Sequence, residues 1–258
     1  PMLKVENNRQ FIHQLVSLWR KKLDTKIIGI TGSNGKTTTK ELAHHVISSK
    51  INCFKTKKNY NTVLSSPLSF LSATQSQKVA LIEMGTNQPG EIKSICEVFI
   101  PNIGLITNIS NAHIENFNSI NDIAKEKGNL FKCLPKDGIA IINNDDPHIN
   151  KLQTNAKKVS YGFEGNPNYF GYLNTDDQLT INNTSISLPS SGIAMAQNTL
   201  AVFALADTIG IPKNYIIEKI ENFELPLGRG KIIDKNGISI IDDTYNANPV
   251  SMLVGLKK

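Results

Sequence analysis

Only three cysteines occur in the 258 residues, at positions 53, 96 and 133. Wide spacing and an odd count give neither a disulfide framework nor a metal-binding pattern, and suit a reducing, cytoplasmic setting. Aromatic residues are scarce, at 7%, and do not interleave with basic ones as single-strand nucleic-acid binding requires. No apolar run approaches the roughly 20 residues that cross a bilayer, so no membrane span is expected. Phe11 to Trp19 is interrupted by His13, Gln14 and Ser17 with no small-residue cleavage site after it, which excludes a signal peptide. Repeats and low-complexity segments are missing as well. The chain opens at Pro1 rather than at methionine, which suggests a piece of something longer.

Apolar content of 40% with 19% charge is ordinary for a globular chain able to bury a core. The length allows one large domain or two modest ones. Net charge is +6, yet the lysines are dispersed, Lys55, Lys57 and Lys58 forming the one dense group. Such a surface suits polyanionic small molecules such as nucleotides and nucleotide-sugars, and no nucleic-acid partner is expected.

Ile27-Ile28-Gly29-Ile30-Thr31-Gly32-Ser33-Asn34-Gly35-Lys36-Thr37-Thr38-Thr39 dominates the sequence. A β-branched run feeds a glycine-rich turn, and the turn opens a helix, the context of a phosphate-binding loop. Curled backbone aims N–H groups at an anion, Gly32, Ser33, Asn34, Gly35 and Thr38 forming the cradle. Lys36 would reach the outer phosphates and the Thr37 hydroxyl would ligate Mg2+. The strict loop pattern asks for glycine where Ile30 stands. An ordinary glycine-rich turn is the alternative, disfavoured by Gly-Lys-Thr directly after an apolar strand.

Positions 1–24 hold an amphipathic helix, with Phe11, Leu15, Leu18 and Trp19 on one face. It reads as a connector or the tail of a preceding domain. Strands are predicted at 26–31, 50–54, 79–83, 103–108, 138–143 and 158–161, and helices at 36–49, 66–71, 90–98, 119–134 and 147–152. This alternation of short apolar runs with helices predicts an α/β fold, a mostly parallel sheet flanked by helices. Alternation within 169–188 predicts a small antiparallel patch. Alanine-rich 194–209 reads as a buried helix and 214–222 as another. Strands at 230–234 and 238–242 are joined through Asn236-Gly237, a hairpin signal.

Ligands of parallel α/β sheets bind at the carboxyl ends of strands. Glu83 falls at such an end, as a second ligand for Mg2+ or, more plainly, a helix-capping acid. His113 follows another strand end in a polar loop; a lone histidine is more often structural. Lys125, Lys127 and Lys132 share one helix and by spacing alone are a solvated face.

Thr31-Gly32-Ser33-Asn34-Gly35-Lys36-Thr37-Thr38 resembles the ATP loop of the Mur ligases and their folylpolyglutamate synthetase relatives, whose pattern Thr-Gly-x-x-Gly-Lys-Thr/Ser accommodates Ile30. Asn59-Tyr60-Asn61, Glu83 through Ile92, Asn108 through Glu115, Ala124 through Phe131 and Asp242 through Pro249 extend the resemblance in order. Tyr245-Asn246-Ala247-Asn248-Pro249 points to the branch that adds D-alanyl-D-alanine to a UDP-muramoyl tripeptide.

The resemblance implies ATP and Mg2+ as cofactors, small-molecule substrates, and a monomer. Lys36 and Thr37 would hold phosphate and Mg2+, and Glu83 and His113 a second cation. Lys127 matches a lysine that is carbamoylated in many members and would become an anionic metal ligand. Asn198 would contact adenine, Arg229 phosphate and Asp243 ribose, with Asn59 and Asn61 on the substrate side. Catalysis would fall to Lys36, Glu83, His113 and Lys127. Gln197, Ala201 and Thr62 through Ser66 depart from the family pattern, at the adenine and sugar-peptide contacts respectively. Residues 25–258 would be the central ATP-binding domain, the C-terminal domain being absent and ligation by this chain alone weak or nil. A ligase for another amino acid, folylpolyglutamate synthetase-like, and a non-catalytic ATP-binding module are the competing readings.

Overall fold

The computed structural model describes residues 4–111, 116–245 and Met252. Six strands, β1 (Lys26–Thr31), β2 (Cys53–Lys55), β3 (Val79–Glu83), β4 (Ile103–Ile106), β5 (Ile139–Asn143) and β6 (Lys157–Gly162), pair in parallel in the order β2-β3-β1-β4-β5-β6. Three more strands continue the same sheet: β7 (Tyr169–Leu173), β8 (Gln178–Ile181) and β9 (Thr184–Ser187). β7 joins β6 in parallel, while β7-β8 and β8-β9 are antiparallel. The predicted antiparallel patch is therefore an extension of the main sheet. A separate hairpin pairs β10 (Lys231–Lys235) with β11 (Ile238–Asp242) across Asn236 and Gly237, both at positive φ as the Asn-Gly signal requires.

Helices cover both faces. Ile28 and Ile30 point into a core with α2 (Lys36–Ile47), α6 (Ile193–Thr208) and α7 (Lys213–Glu221). Ile27, Ile82, Ile106 and Ala140 point into the other, with α1 (Asn8–Lys22), α3 (Ser65–Phe70), α4 (Glu91–Phe99) and α5 (Ile120–Lys132). Continuous apolar strands follow from burial on both faces. α6 is apolar nearly all round because its faces meet α2, α7 and the sheet.

α1 lays Val16 into the second core, and Leu23, which caps its C-terminal end, joins it there. Trp19 Nε1 donates to the Ala73 carbonyl at 3.0 Å, and Arg20 Nε donates to the Phe99 carbonyl, at the C-terminal end of α4, at 2.8 Å.

Three sequence expectations need correction. Residues 147–152 form a single turn rather than a helix: Asp146 caps it by accepting from the His148 and Ile149 amides, and the Asn150 amide bonds the Asp146 carbonyl, but the Leu152 amide reaches back only three residues, to Ile149, so the turn does not propagate. The second strand is confined to Cys53–Lys55, since the Lys50 and Ile51 amides still bond the Ile47 carbonyl. The fourth ends at Ile106, because Thr107 and Asn108 turn aside to hold the neighbouring loop.

Candidate functional site

β1 lies between β3 and β4 although the chain reaches β2 first, so sequence neighbours leave β1 towards opposite sides. That switch point opens a crevice beyond the strand ends. Ile30 is in register with Glu83, and Thr31 with Ile106. The glycine loop, Glu83 and Thr107 thus emerge at one level.

Residues 107–110 clamp the loop. Asn108 accepts the Ser33 amide on its carbonyl at 2.8 Å and the Asn34 amide on Oδ1 at 3.0 Å. Thr107 Oγ1 donates to the Asn34 carbonyl at 2.6 Å, and Ser33 Oγ accepts from the Ser110 amide at 2.9 Å. Gly32 allows this approach, since a Cβ there would sit 1.9 Å from Thr107 Oγ1. The Ser33 and Asn34 amides are consequently engaged with protein. The first-turn amides of α2, at Lys36, Thr37 and Thr38, have no carbonyl four residues back within the helix and present its positive end to the crevice. Asn198 lies on the opposite side, where Oδ1 accepts from Thr39 Oγ1 at 3.2 Å and sits 2.6 Å from where a Gly35 Cβ would be.

Lys36 Nζ folds back onto the carbonyls of Gly32 and Ser33, at 2.7 and 3.0 Å. Burial pushes its pKa down and Arg229 adds to that, while Glu83 opposes it. Thr37 Oγ1 donates to Glu83 Oε1 at 3.0 Å and accepts from Arg229 Nη2 at 3.2 Å. Arg229 in turn stacks on the Tyr245 ring, 3.6 Å from its centroid. Glu83 Oε1 also accepts from Asn61 Nδ2 at 2.9 Å, while the buried Oε2 lies 3.2 Å from the Lys40 ammonium without hydrogen-bond geometry. Asn59 and Asp243 are exposed, Asp243 acting on Arg229 through its charge. His113 lies outside the described residues.

Lys127 reaches the site from α5. Gly29 and Gly104 are side by side in register, and Leu130 sits against both, drawing α5 onto the sheet. Lys127 is consequently 2% exposed, not part of a solvated face; Lys125 and Lys132 are the solvated ones. Burial, then the charge of Lys36, pushes its pKa well below the usual lysine value, against the pull of Glu126. Glu126 itself accepts from the Gly90 and Ile92 amides, at 2.7 and 2.8 Å, fixing α5 to the start of α4.

The arrangement fits a phosphate chain with a divalent cation. Mg2+ with oxygen ligands at 2.0–2.1 Å has octahedral edges of about 2.9 Å, and Thr37 Oγ1 and Glu83 Oε1 stand 3.0 Å apart. Among the described residues no group of three or more His, Cys, Asp or Glu side chains gathers, and phosphate oxygens and waters would complete the shell. Sequence reasoning missed Asn108 as the loop clamp, Glu126 as the anchor of α5, and Lys40. Only Lys40 left a trace, four residues after Lys36 and hence on the same helix face.

Sheet order, loop and converging polar groups define the phosphate-loop class of α/β domains. More narrowly, the chain belongs to the Mur ligase family, whose middle domain matches residues 30–206. It is 32% identical over 269 residues to a UDP-N-acetylmuramoyl-tripeptide–D-alanyl-D-alanine ligase of Buchnera aphidicola, covering 100% of this chain and 58% of that protein. The crystal structure of MurF from Acinetobacter baumannii superposes with a TM-score of 0.90 at 30% identity, over 98% of this chain and 58% of that one. The MurF ligase of Thermotoga maritima in complex with ADP gives 0.89 at 25%, over 99% and 61%. The chain therefore spans rather more than half the length of these relatives.

Proposed function

We propose that this chain is the ATP-binding part of a ligase that joins D-alanyl-D-alanine to a UDP-N-acetylmuramoyl tripeptide in peptidoglycan precursor synthesis. The observation that carries the reading is the meeting of Thr37, Glu83 and Arg229 at the mouth of the loop, within 3.0 and 3.2 Å of one hydroxyl. The identity of the relatives supplies the substrates. Residues 25–258 are the ATP-binding unit in this reading, with 1–24 as the connector towards a substrate domain. The protein acts in the cytoplasm as a monomer.

The γ-phosphoryl of ATP passes to the terminal carboxylate of the tripeptide, breaking the bond to the β-phosphate oxygen and releasing ADP. The free amine of D-alanyl-D-alanine attacks the acyl phosphate, loses a proton, and expels inorganic phosphate as the amide forms. Two anions must approach one another in the first step, and that repulsion is the main barrier. Amides of the first turn of α2 and Lys36 hold the phosphates, the ammonium leaving the Gly32 and Ser33 carbonyls to do so. Thr37 and Glu83 would hold Mg2+, which when bound would draw negative charge from phosphate and carboxylate oxygens. Glu83, His113 and Lys127, if carbamoylated, would hold a second Mg2+ in this reading. The neutral amine is the form that adds carbon dioxide, and burial, then the charge of Lys36, lowers the Lys127 pKa towards it. Arg229 faces the phosphates, Asn198 adenine and Asp243 ribose, and Asn59 and Asn61 meet the acceptor substrate.

Calorimetry of ADP and ATP binding with Mg2+, on the chain and on Lys36→Ala, tests the nucleotide site. The variant should bind at least about tenfold more weakly, a lost charge-assisted contact being worth 1.5–3 kcal/mol. Equal affinity removes the phosphate-loop assignment. Titration with the UDP-muramoyl tripeptide against a folate then separates this ligase from its folate-directed relatives.

A further inference from the structure

Lys40 is fully buried in α2, one turn below Lys36 and outside every role assigned above. Its ammonium touches four oxygens. It donates to the Thr56 carbonyl at 3.0 Å and to the Lys58 carbonyl, and pairs with Glu41 Oε1 at 3.1 Å and Glu83 Oε2 at 3.2 Å. An ammonium has three N–H donors. The contact to Glu83 Oε2 lacks hydrogen-bond geometry, so that oxygen is held by charge alone. The other oxygen of the same carboxylate, Oε1, faces Thr37 and Asn61.

We infer that Lys40 is a positioning residue that keeps Glu83 a one-oxygen ligand and thereby selects a small octahedral cation over a large one. The inference rests on the proposed Mg2+ site at Thr37 and Glu83. Its physical basis is repulsion: a cation sharing both carboxylate oxygens would have to approach the Lys40 ammonium, whereas a cation on Oε1 stands on the far side. Ca2+ accepts two-oxygen carboxylates and irregular shells of six to eight ligands, while Mg2+ demands six at shorter range. Blocking Oε2 therefore penalises Ca2+ more. Lys40 also ties this choice to the 56–61 segment, because Thr56 and Lys58 supply two of its acceptors and Asn61 shares Oε1.

The test is calorimetric affinity of the whole chain for Mg2+ and for Ca2+ in the presence of saturating ADP. Lys40→Gln retains amide donors for the backbone carbonyls and removes the charge; Lys40→Arg retains the charge. The Mg2+-to-Ca2+ affinity ratio should fall about tenfold or more in Lys40→Gln and stay within about threefold of the parent in Lys40→Arg. A ratio unchanged in Lys40→Gln overturns the inference. Should Lys40→Gln lack a cooperative melt, the parent chain decides alone: its ratio must exceed that of free ADP in the same buffer, and a ratio no greater than that of free ADP overturns the inference. If the parent binds no ADP with either cation, the nucleotide-site reading falls first, which is a different result.

Discussion

At the scale of single residues, Lys127 shows how far environment overrides type. Its flanking helix reads as charged and solvated, yet the slot made by Gly29 and Gly104 seats Leu130 and turns Lys127 inward. A buried ammonium is disfavoured, so the folded state releases this proton more readily than the unfolded chain does. The consequence for stability has a definite sign. Below the folded pKa the penalty is fully present; it shrinks as pH rises and vanishes near the unfolded value of about 10.4. In buffer free of carbon dioxide, Lys127→Met should therefore melt above the parent at neutral pH, by about 2–4 °C for each ~1 kcal/mol relieved. The gap should close as pH approaches 10. A variant that melts lower at every pH would show that Lys127 is held by favourable pairing instead.

At the scale of elements, α2 carries the proposed phosphate-binding residues at one end and an acid sensitivity at the other. Its first turn holds Lys36 and Thr37, and its last holds His44 and His45. Burial is the first cause that lowers both imidazole pKa values, with Lys55 next at His44 and Lys219 next at His45. Folded pKa values below the unfolded one mean that the unfolded chain takes up protons first as pH falls below about 6.5. Stability is then lost on acidification through that window. The melting temperature should drop between pH 7.5 and 5.5, and drop less in the double variant His44→Gln/His45→Gln. Equal acid slopes in the two proteins would place the sensitivity elsewhere. The α2 stretch was legible from its apolar spacing and the preceding glycines, as were α4 and α5. The 147–152 segment was not, because Asp146 and Pro147 open it as they would a helix, yet after one turn the Leu152 amide bonds only three residues back and the turn is too short to sustain itself.

At the scale of the whole molecule, two apolar layers enclose one sheet, and α1 belongs to the second layer. Its amphipathic pattern was plain, but nothing local says that it docks against α3 and α4. Val16 and Leu23 are buried there and Arg20 bonds the Phe99 carbonyl. Deleting residues 1–24 should lower the melting temperature by about 5–10 °C, each fully buried aliphatic side chain contributing about 1.5–3 kcal/mol before ordering costs. An unchanged melt would mean that α1 is a passive extension.

Sequence alone determined the elements and the chemical repertoire. Hydrophobic runs of strand length alternating with helical periodicity allow little besides a covered parallel sheet, and Gly-Lys-Thr at a strand-to-helix turn points to an anion site at the helix start. Both are local properties, set within one or two turns of chain. Tertiary structure alone decided which groups meet. Strand order places Glu83 beside the loop from 46 residues away, packing of the turn before the β10–β11 hairpin brings Arg229 from 192, and packing likewise assigns the Ser33 and Asn34 amides to Asn108 and buries Lys40 under a carboxylate. Distances of that kind depend on how elements pack, and packing is a sum of weak contacts over the whole core that no short window of sequence contains.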